Sequence, residues 1–128
     1  MHGEYLKPIE IWLKETSGDD QWRFEQLKSL LPNKRILDFG CGAGGFLLSA
    51  KNLAADAVDI EFEERVWNYW SGSKISIFSS IKDAASVSGW EGYDIISAFH
   101  VIEHLPDPRE VLTKLGKMLN SEGRIIHY

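Results

Sequence analysis

The chain has a single cysteine in 128 residues, Cys41, so it can form no internal disulfide; the expected compartment is the reducing cytoplasm. No apolar run comes near the roughly 18 residues that a membrane-crossing helix needs, and the start, MHGEYLKPIE, has no signal-peptide core. Runs of Lys or Arg are also lacking. With 14 basic against 19 acidic side chains and a net charge of −5, no general electrostatic grip on nucleic acid or an anionic membrane is expected. Internal repeats, low-complexity stretches and obvious linkers do not occur. What is there is an ordinary globular composition, 44% apolar and 26% charged, in a length that builds one domain around one core.

Two helices are predicted at the start. Residues 8–15 (PIEIWLKE) begin with a proline suited to a helix start. Residues 19–31 (DDQWRFEQLKSLL) begin with two capping aspartates and set Trp22, Leu27, Leu30 and Leu31 near one face, before Pro32-Asn33 ends the helix. From there strands and helices alternate. Short apolar runs predict strands over 35–39, 56–60, 74–78 and 93–99, with a fifth over 123–128. Helices are predicted over 44–55, 63–70 and 107–119, with one or two turns over 80–87. The clearest is 107–119, which opens on a capping Asp107 and Pro108 at the first helical position and sets Val111, Leu112, Leu115, Met118 and Leu119 at three-to-four spacing.

Alternation with short connections predicts an α/β fold. The expected form is a doubly wound, Rossmann-like parallel sheet of about five strands, order 3-2-1-4-5, with helices on both faces. Residues 1–33 then make an N-terminal helical extension and residues 34–128 the sheet domain. Ligands of such sheets bind beyond the carboxyl ends of the strands, which gathers the loops after residues 39, 60, 78 and 99 at one site.

The first of these loops follows Asp38 and reads Gly40-Cys41-Gly42-Ala43-Gly44-Gly45, between a predicted strand and a predicted helix. Glycine suits a turn with unusual backbone angles on which a ligand touches the main chain, and a helix N-terminus favours an anion. Cys41 is read as a small residue beside that ligand rather than as a nucleophile. Asp38 discriminates between ligands. A carboxylate two residues before the first glycine would repel the pyrophosphate of a dinucleotide. S-adenosyl-L-methionine has no phosphate, and its ammonium and sulfonium suit an acidic neighbour. Asp59, 19 residues after Gly40 at the end of the second strand, is placed to accept from ribose hydroxyls, with Glu61 a nearby competitor.

In order and spacing, ILDFGCGAGGFL, AVDI, YDIISAFHVIEHLPDP and EGRIIHY resemble the class I S-adenosylmethionine-dependent methyltransferases, over residues 34–128. The resemblance implies that Asp38, Gly40, Cys41, Gly42 and Gly44 cradle the methionine part of the cofactor. It also implies that Asp59 holds the ribose and Ile60 packs on the adenine. Where the family often has an aspartate after the third strand this chain has Ser79-Ser80-Ile81, so Ser80, Ile81 or a backbone group takes the adenine contact. By the same resemblance, Phe99 and His100 end the fourth strand beneath the methionine and the transferring methyl group.

His100-Val-Ile-Glu103-His104 also spells H-x-x-E-H, a zinc-peptidase spacing. That chemistry needs a long helix, which Pro106 and Pro108 forbid. Some members of the family, among them ubiquinone-biosynthesis O-methyltransferases, have E-x-x-E-H here and bind a divalent ion. His100, Glu103 and His104 are therefore metal candidates by resemblance, although no metal is the expectation. Otherwise Glu103 and His104 support the turn while Leu105-Pro106 shapes the pocket wall, or His100 or His104 acts as a base or substrate-positioning group.

The expected activity is methyl transfer to a small-molecule or sugar-like acceptor, with no nucleic-acid or membrane partner. The family's sheet usually has seven strands and this sequence stops in the fifth, so a homodimer or partner covering that edge is expected if the chain works as it stands. The N-terminal aromatics Tyr5, Trp12 and Trp22 either cap the acceptor site or pack in the core. A non-catalytic cofactor-binding or partner module and an NAD-type oxidoreductase are the competing readings.

Overall fold

The computed structural model describes residues 8–40, 44–70, 75–85, 92–98 and 105–127. Helix α1 (Ile9–Leu27) runs into a 3-10 turn (Lys28–Leu30) and is followed by β1 (Arg35–Phe39), α2 (Gly45–Ala50), β2 (Asp56–Ile60) and α3 (Glu64–Tyr69). Then come β3 (Ser76–Phe78), α4 (Ile81–Ala85), β4 (Tyr93–Ala98), α5 (Pro108–Gly116) and β5 (Leu119–His127). The five strands form one sheet in the order β3-β2-β1-β4-β5, every described pairing parallel. This is the doubly wound topology that the alternation predicts.

Alternation along each strand divides the core in two. Ile36, Ala57 and Ile95 point to the layer of α1, α2 and α3, where Ile9, Leu27, Leu31, Phe46, Leu47 and Val66 pack on them. Leu37, Val58 and Ile96 point the other way, towards Ala84 of α4 and Leu115 of α5. Each such large apolar side chain, removed from water on both sides, stabilises by about 1.5–3 kcal/mol. β1 is central, which is why RILDF reads as a continuous apolar run interrupted only by Asp38.

Several boundaries differ from expectation, each for a tertiary reason. The two helices predicted at 8–15 and 19–31 are one continuous helix, α1. Asp20 does not cap a helix; it turns inward, 8% exposed, and accepts a hydrogen bond from Thr16 Oγ1 at 2.8 Å. Packing of Ile9 and Leu27 carries the helix through Gly18, whose intrinsic cost is only about 1 kcal/mol. Trp22 does not join the buried face of Leu27 and Leu31 but lies half exposed, at 51%. Helix α2 stops at Ala50, and the chain turns so that Ala54 bridges Pro32 and the Ala55 N–H reaches the Lys34 carbonyl.

Helix α5 starts at Pro108 with Asp107 as its cap, as expected, Oδ1 accepting from the Glu110 N–H at 3.1 Å, but it ends at Gly116 rather than at 119. β5 starts at Leu119 rather than at 123. Leu119 pairs with Tyr93 and Arg124 with Ile95, so the six residues 119–124 of β5 oppose the three residues 93–95 of β4. Asp94 holds this irregular stretch, accepting from Asn120 Nδ2 at 2.5 Å and from the Arg35 N–H at 2.8 Å. Both bonds hold the Asp94 carboxyl below its usual range, the Arg35 N–H chiefly.

Candidate functional site

Asp38 is the last polar residue of β1 and faces the α1–α3 layer, on the same side as Ile36. Parallel register sets it opposite Asp59 of β2 and opposite Ser97 of β4. All three are buried, at 1%, 1% and 0% exposure. Ser97 Oγ donates to Asp38 Oδ1 at 2.8 Å. Asp38 Oδ2 is buried and accepts no hydrogen bond among the described residues. Burial pushes the Asp38 carboxyl up to about 7, against the lowering effects of the Ser97 hydrogen bond and the Arg23 charge. The charges of Asp20 and Glu61 raise it further. Glu61, two residues past Asp59, is itself buried at 8% and accepts the Glu63 N–H on Oε2 at 2.9 Å.

Helix α1 thus brings charge to the end of β1 that no local pattern announces. Asp20 and Arg23 lie one turn apart, with Arg23 Nη1 3.8 Å from Asp20 Oδ1. The Asp20 carboxyl lies against Gly45, at the first residue of α2: a Cβ there would collide with Oδ2 and stand 2.9 Å from Cγ. Burial raises the Asp20 pKa, countered in part by the Thr16 hydrogen bond. The helix start expected to favour a ligand anion therefore already has a carboxyl beside it, and α2 is only six residues long. The signal that locates Asp20 and Arg23 is tertiary, the docking of α1 on α2.

The glycine turn has the backbone that its composition demands. Gly40 has φ 68°, and its N–H still bonds the Ile60 carbonyl at 2.8 Å. Gly44 has φ 95°, and a Cβ on it would stand 2.8 Å from Trp70 Nε1. No other residue type meets both conditions. Cys41 and Gly42, between them, lie outside the described residues, as do Phe99, His100, Glu103 and His104. Among the described residues no cluster of three or more His, Cys, Asp or Glu could hold a metal ion.

On the opposite face of the sheet, the side of α4 and α5, lies a cleft of about 380 Å³ lined by Phe39, Ile81 and Leu105. Phe62 also lines it, 59% exposed and edge-on to Phe39 at 5.6 Å, as do Ser80, Lys82 and Lys114. Ser80 caps α4, accepting the Asp83 N–H at 3.0 Å, while Ser79 Oγ donates to Asp83 Oδ2 at 3.0 Å. Ile60 is fully buried in the core behind this cleft. Phe39 and Phe62 were not among the residues that the sequence singled out; the end-of-strand position of Phe39 is the signal that would have found it.

A glycine turn, two buried aspartates at adjoining strand ends and this cleft are combined in one sheet of order 3-2-1-4-5. The family model for a methyltransferase domain matches residues 20–128. The chain belongs to that family. Among curated relatives, the methyltransferase domain is 28% identical over 98 residues to the ubiquinone biosynthesis O-methyltransferase of Aliivibrio fischeri, covering 72% of this chain and 42% of that one. Among solved structures it is similar to the plantazolicin methyltransferase BpumL, solved with a pentazolic desmethyl analogue and SAH (25% identity, TM-score 0.61, 93% of this chain and 46% of that one). An S-adenosylmethionine-dependent methyltransferase from Mesorhizobium loti shares the fold at 18% identity (TM-score 0.62, 81% and 51%). The chain spans less than half of the curated relative's length. No described helix is long and apolar enough to cross a membrane.

Proposed function

We propose that this methyltransferase domain binds S-adenosyl-L-methionine at the carboxyl ends of its strands, and that the protein transfers the methyl group to a small-molecule or sugar-like acceptor in the cytoplasm. The observation that carries the reading is the pairing of Asp38 and Asp59, side by side and buried at the ends of β1 and β2. Together with Asp20 and Glu61 they make an acidic end to the sheet, which suits a cationic ligand and opposes a pyrophosphate. Asp38 Oδ2, buried and accepting no hydrogen bond among the described residues, fits the cofactor's ammonium. Gly40 and Gly44, together with Cys41 and Gly42, would hold its methionine part, and Asp59 the ribose. Phe62, Ile81 and Leu105 would receive the adenine in the apolar cleft, with Ser80 at its margin and Ile60 behind it.

When bound, the sulfonium supplies a methyl group on an activated leaving group. The chain's own part is then to orient and to exclude water; orientation supplies roughly 7–11 kcal/mol in favourable cases. His100 and His104, between β4 and α5, are the groups proposed to take the acceptor's proton or to position it, with Phe99 against the cofactor. In the same proposal a second copy or another partner covers the β5 edge of the sheet.

Calorimetric titration with S-adenosylmethionine, S-adenosylhomocysteine and NADH tests the reading. The first two bind and NADH does not; the reverse pattern sinks the proposal. Transfer of labelled methyl across an acceptor panel, using the full-length protein, then identifies the acceptor.

A further inference from the structure

We propose that Ser97 is a positioning residue for cofactor binding: its hydroxyl fixes the Asp38 carboxyl through Oδ1 and leaves Oδ2 to the cationic end of the ligand. The inference rests on the cofactor reading above and assigns a role to a residue of β4 that no motif marks. Three observations carry it. Ser97 is fully buried in the strand beside β1, opposite Asp38 in register. Its Oγ is 2.8 Å from Oδ1, within reach of a charge-assisted hydrogen bond. Oδ2, equally buried, accepts no hydrogen bond among the described residues. A buried polar atom in that state is costly unless a ligand supplies its partner.

The arrangement makes cofactor binding depend on whether Asp38 is ionised. The charged groups facing Asp38 are Arg23 and Asp20 from α1, Glu61 after β2, and Asp59 opposite on β2. Burial chiefly, with the charges of Asp20 and Glu61, holds the carboxyl up to about 7 against the Arg23 guanidinium. The Ser97 hydrogen bond acts the other way, favouring the ionised form that a cationic ligand requires. Below its titration Asp38 is a neutral acid, and affinity falls about tenfold per pH unit.

The test is the affinity of the wild-type chain, Ser97→Ala and Ser97→Cys for S-adenosylhomocysteine between pH 6 and 9. Both variants lose a strong donor without adding bulk beyond one sulfur. A hydrogen bond to a charged group is worth about one to two pH units. At pH 7 the variants therefore bind on the order of tenfold more weakly than wild type, and near pH 9 the gap closes to about twofold or less. A loss that is the same at every pH, or no loss, overturns the proposal while leaving the cofactor reading standing. Failure of the wild type to bind at any pH overturns that reading and the proposal with it. NMR titration of the Asp38 carboxyl carbon without ligand gives a second readout. Either variant raises its midpoint, and an unchanged midpoint overturns the proposal.

Discussion

Asp38 and Asp59 stand directly opposite each other across the β1–β2 pair, both 1% exposed. Burying a carboxyl in this position disfavours its ionised form, as the raised Asp38 shows. The arrangement costs stability at neutral pH, and a ligand received by the pair, as proposed above, would account for it.

Asp38→Asn makes that cost measurable. The carboxyl titrates near 7 in the folded chain and about 3.9 in an unfolded one. The folded state therefore holds a proton that the unfolded state releases from about pH 4 upwards. Stability from this source is fully present below about pH 4 and is lost as pH rises through about 7. The asparagine variant should be within about 0.5 kcal/mol of wild type at pH 4, yet more stable at pH 8 by on the order of 2–4 kcal/mol. Urea unfolding at the two pH values decides. An equal difference at both would show that burial does not raise this carboxyl.

Asp59→Ala should weaken S-adenosylhomocysteine binding more than tenfold, since a ribose-holding carboxylate contributes charge-assisted bonds of about 1.5–3 kcal/mol. Calorimetric titration reads the change. Unchanged affinity would remove Asp59 from the proposed site.

Two glycines should respond oppositely to alanine. Gly44→Ala forces a side chain into φ 95° and to 2.8 Å from the Trp70 indole nitrogen, so a loss on the order of 2–3 kcal/mol is expected. Gly18, inside α1 with nothing within 4 Å of its missing Cβ, should gain about 0.5–1 kcal/mol as alanine. Thermal unfolding of both variants checks the pair, and a stabilised Gly44→Ala would contradict the packing described.

Asp107→Ala removes the cap of α5 and leaves the Glu110 N–H without that acceptor. A loss of about 1 kcal/mol is expected, read by urea unfolding, with Asp107→Asn retaining most of it. If asparagine fares no better than alanine, the cap is not what Asp107 supplies.

Much of the fold was legible because its signals are local. The apolar runs 35–39 and 56–60 are strands with those bounds, since buried parallel strands need continuous apolar sequence. Asp107-Pro108 marked the start of α5 through capping chemistry alone. The Asp19-Asp20 pair misled because capping residues also occur inside helices when their side chains are engaged elsewhere, as Asp20 is by Thr16 and by its packing against Gly45. The start of β5 was missed because Asn120, Ser121 and Glu122 are poor strand formers, held in place by Asp94 and the pairing with Tyr93.

The sequence by itself determined the order of elements, the parallel sheet, and the glycine turn with Asp38 and Asp59 around it, because hydrophobic period and backbone chemistry act over a few residues. Only the tertiary structure decided what surrounds them: Ser97 on Asp38, Asp20 and Arg23 carried in by α1, and Phe39 and Phe62 at the cleft. Those contacts join residues up to 59 positions apart, and their energies come from burial and close approach, which no local pattern encodes.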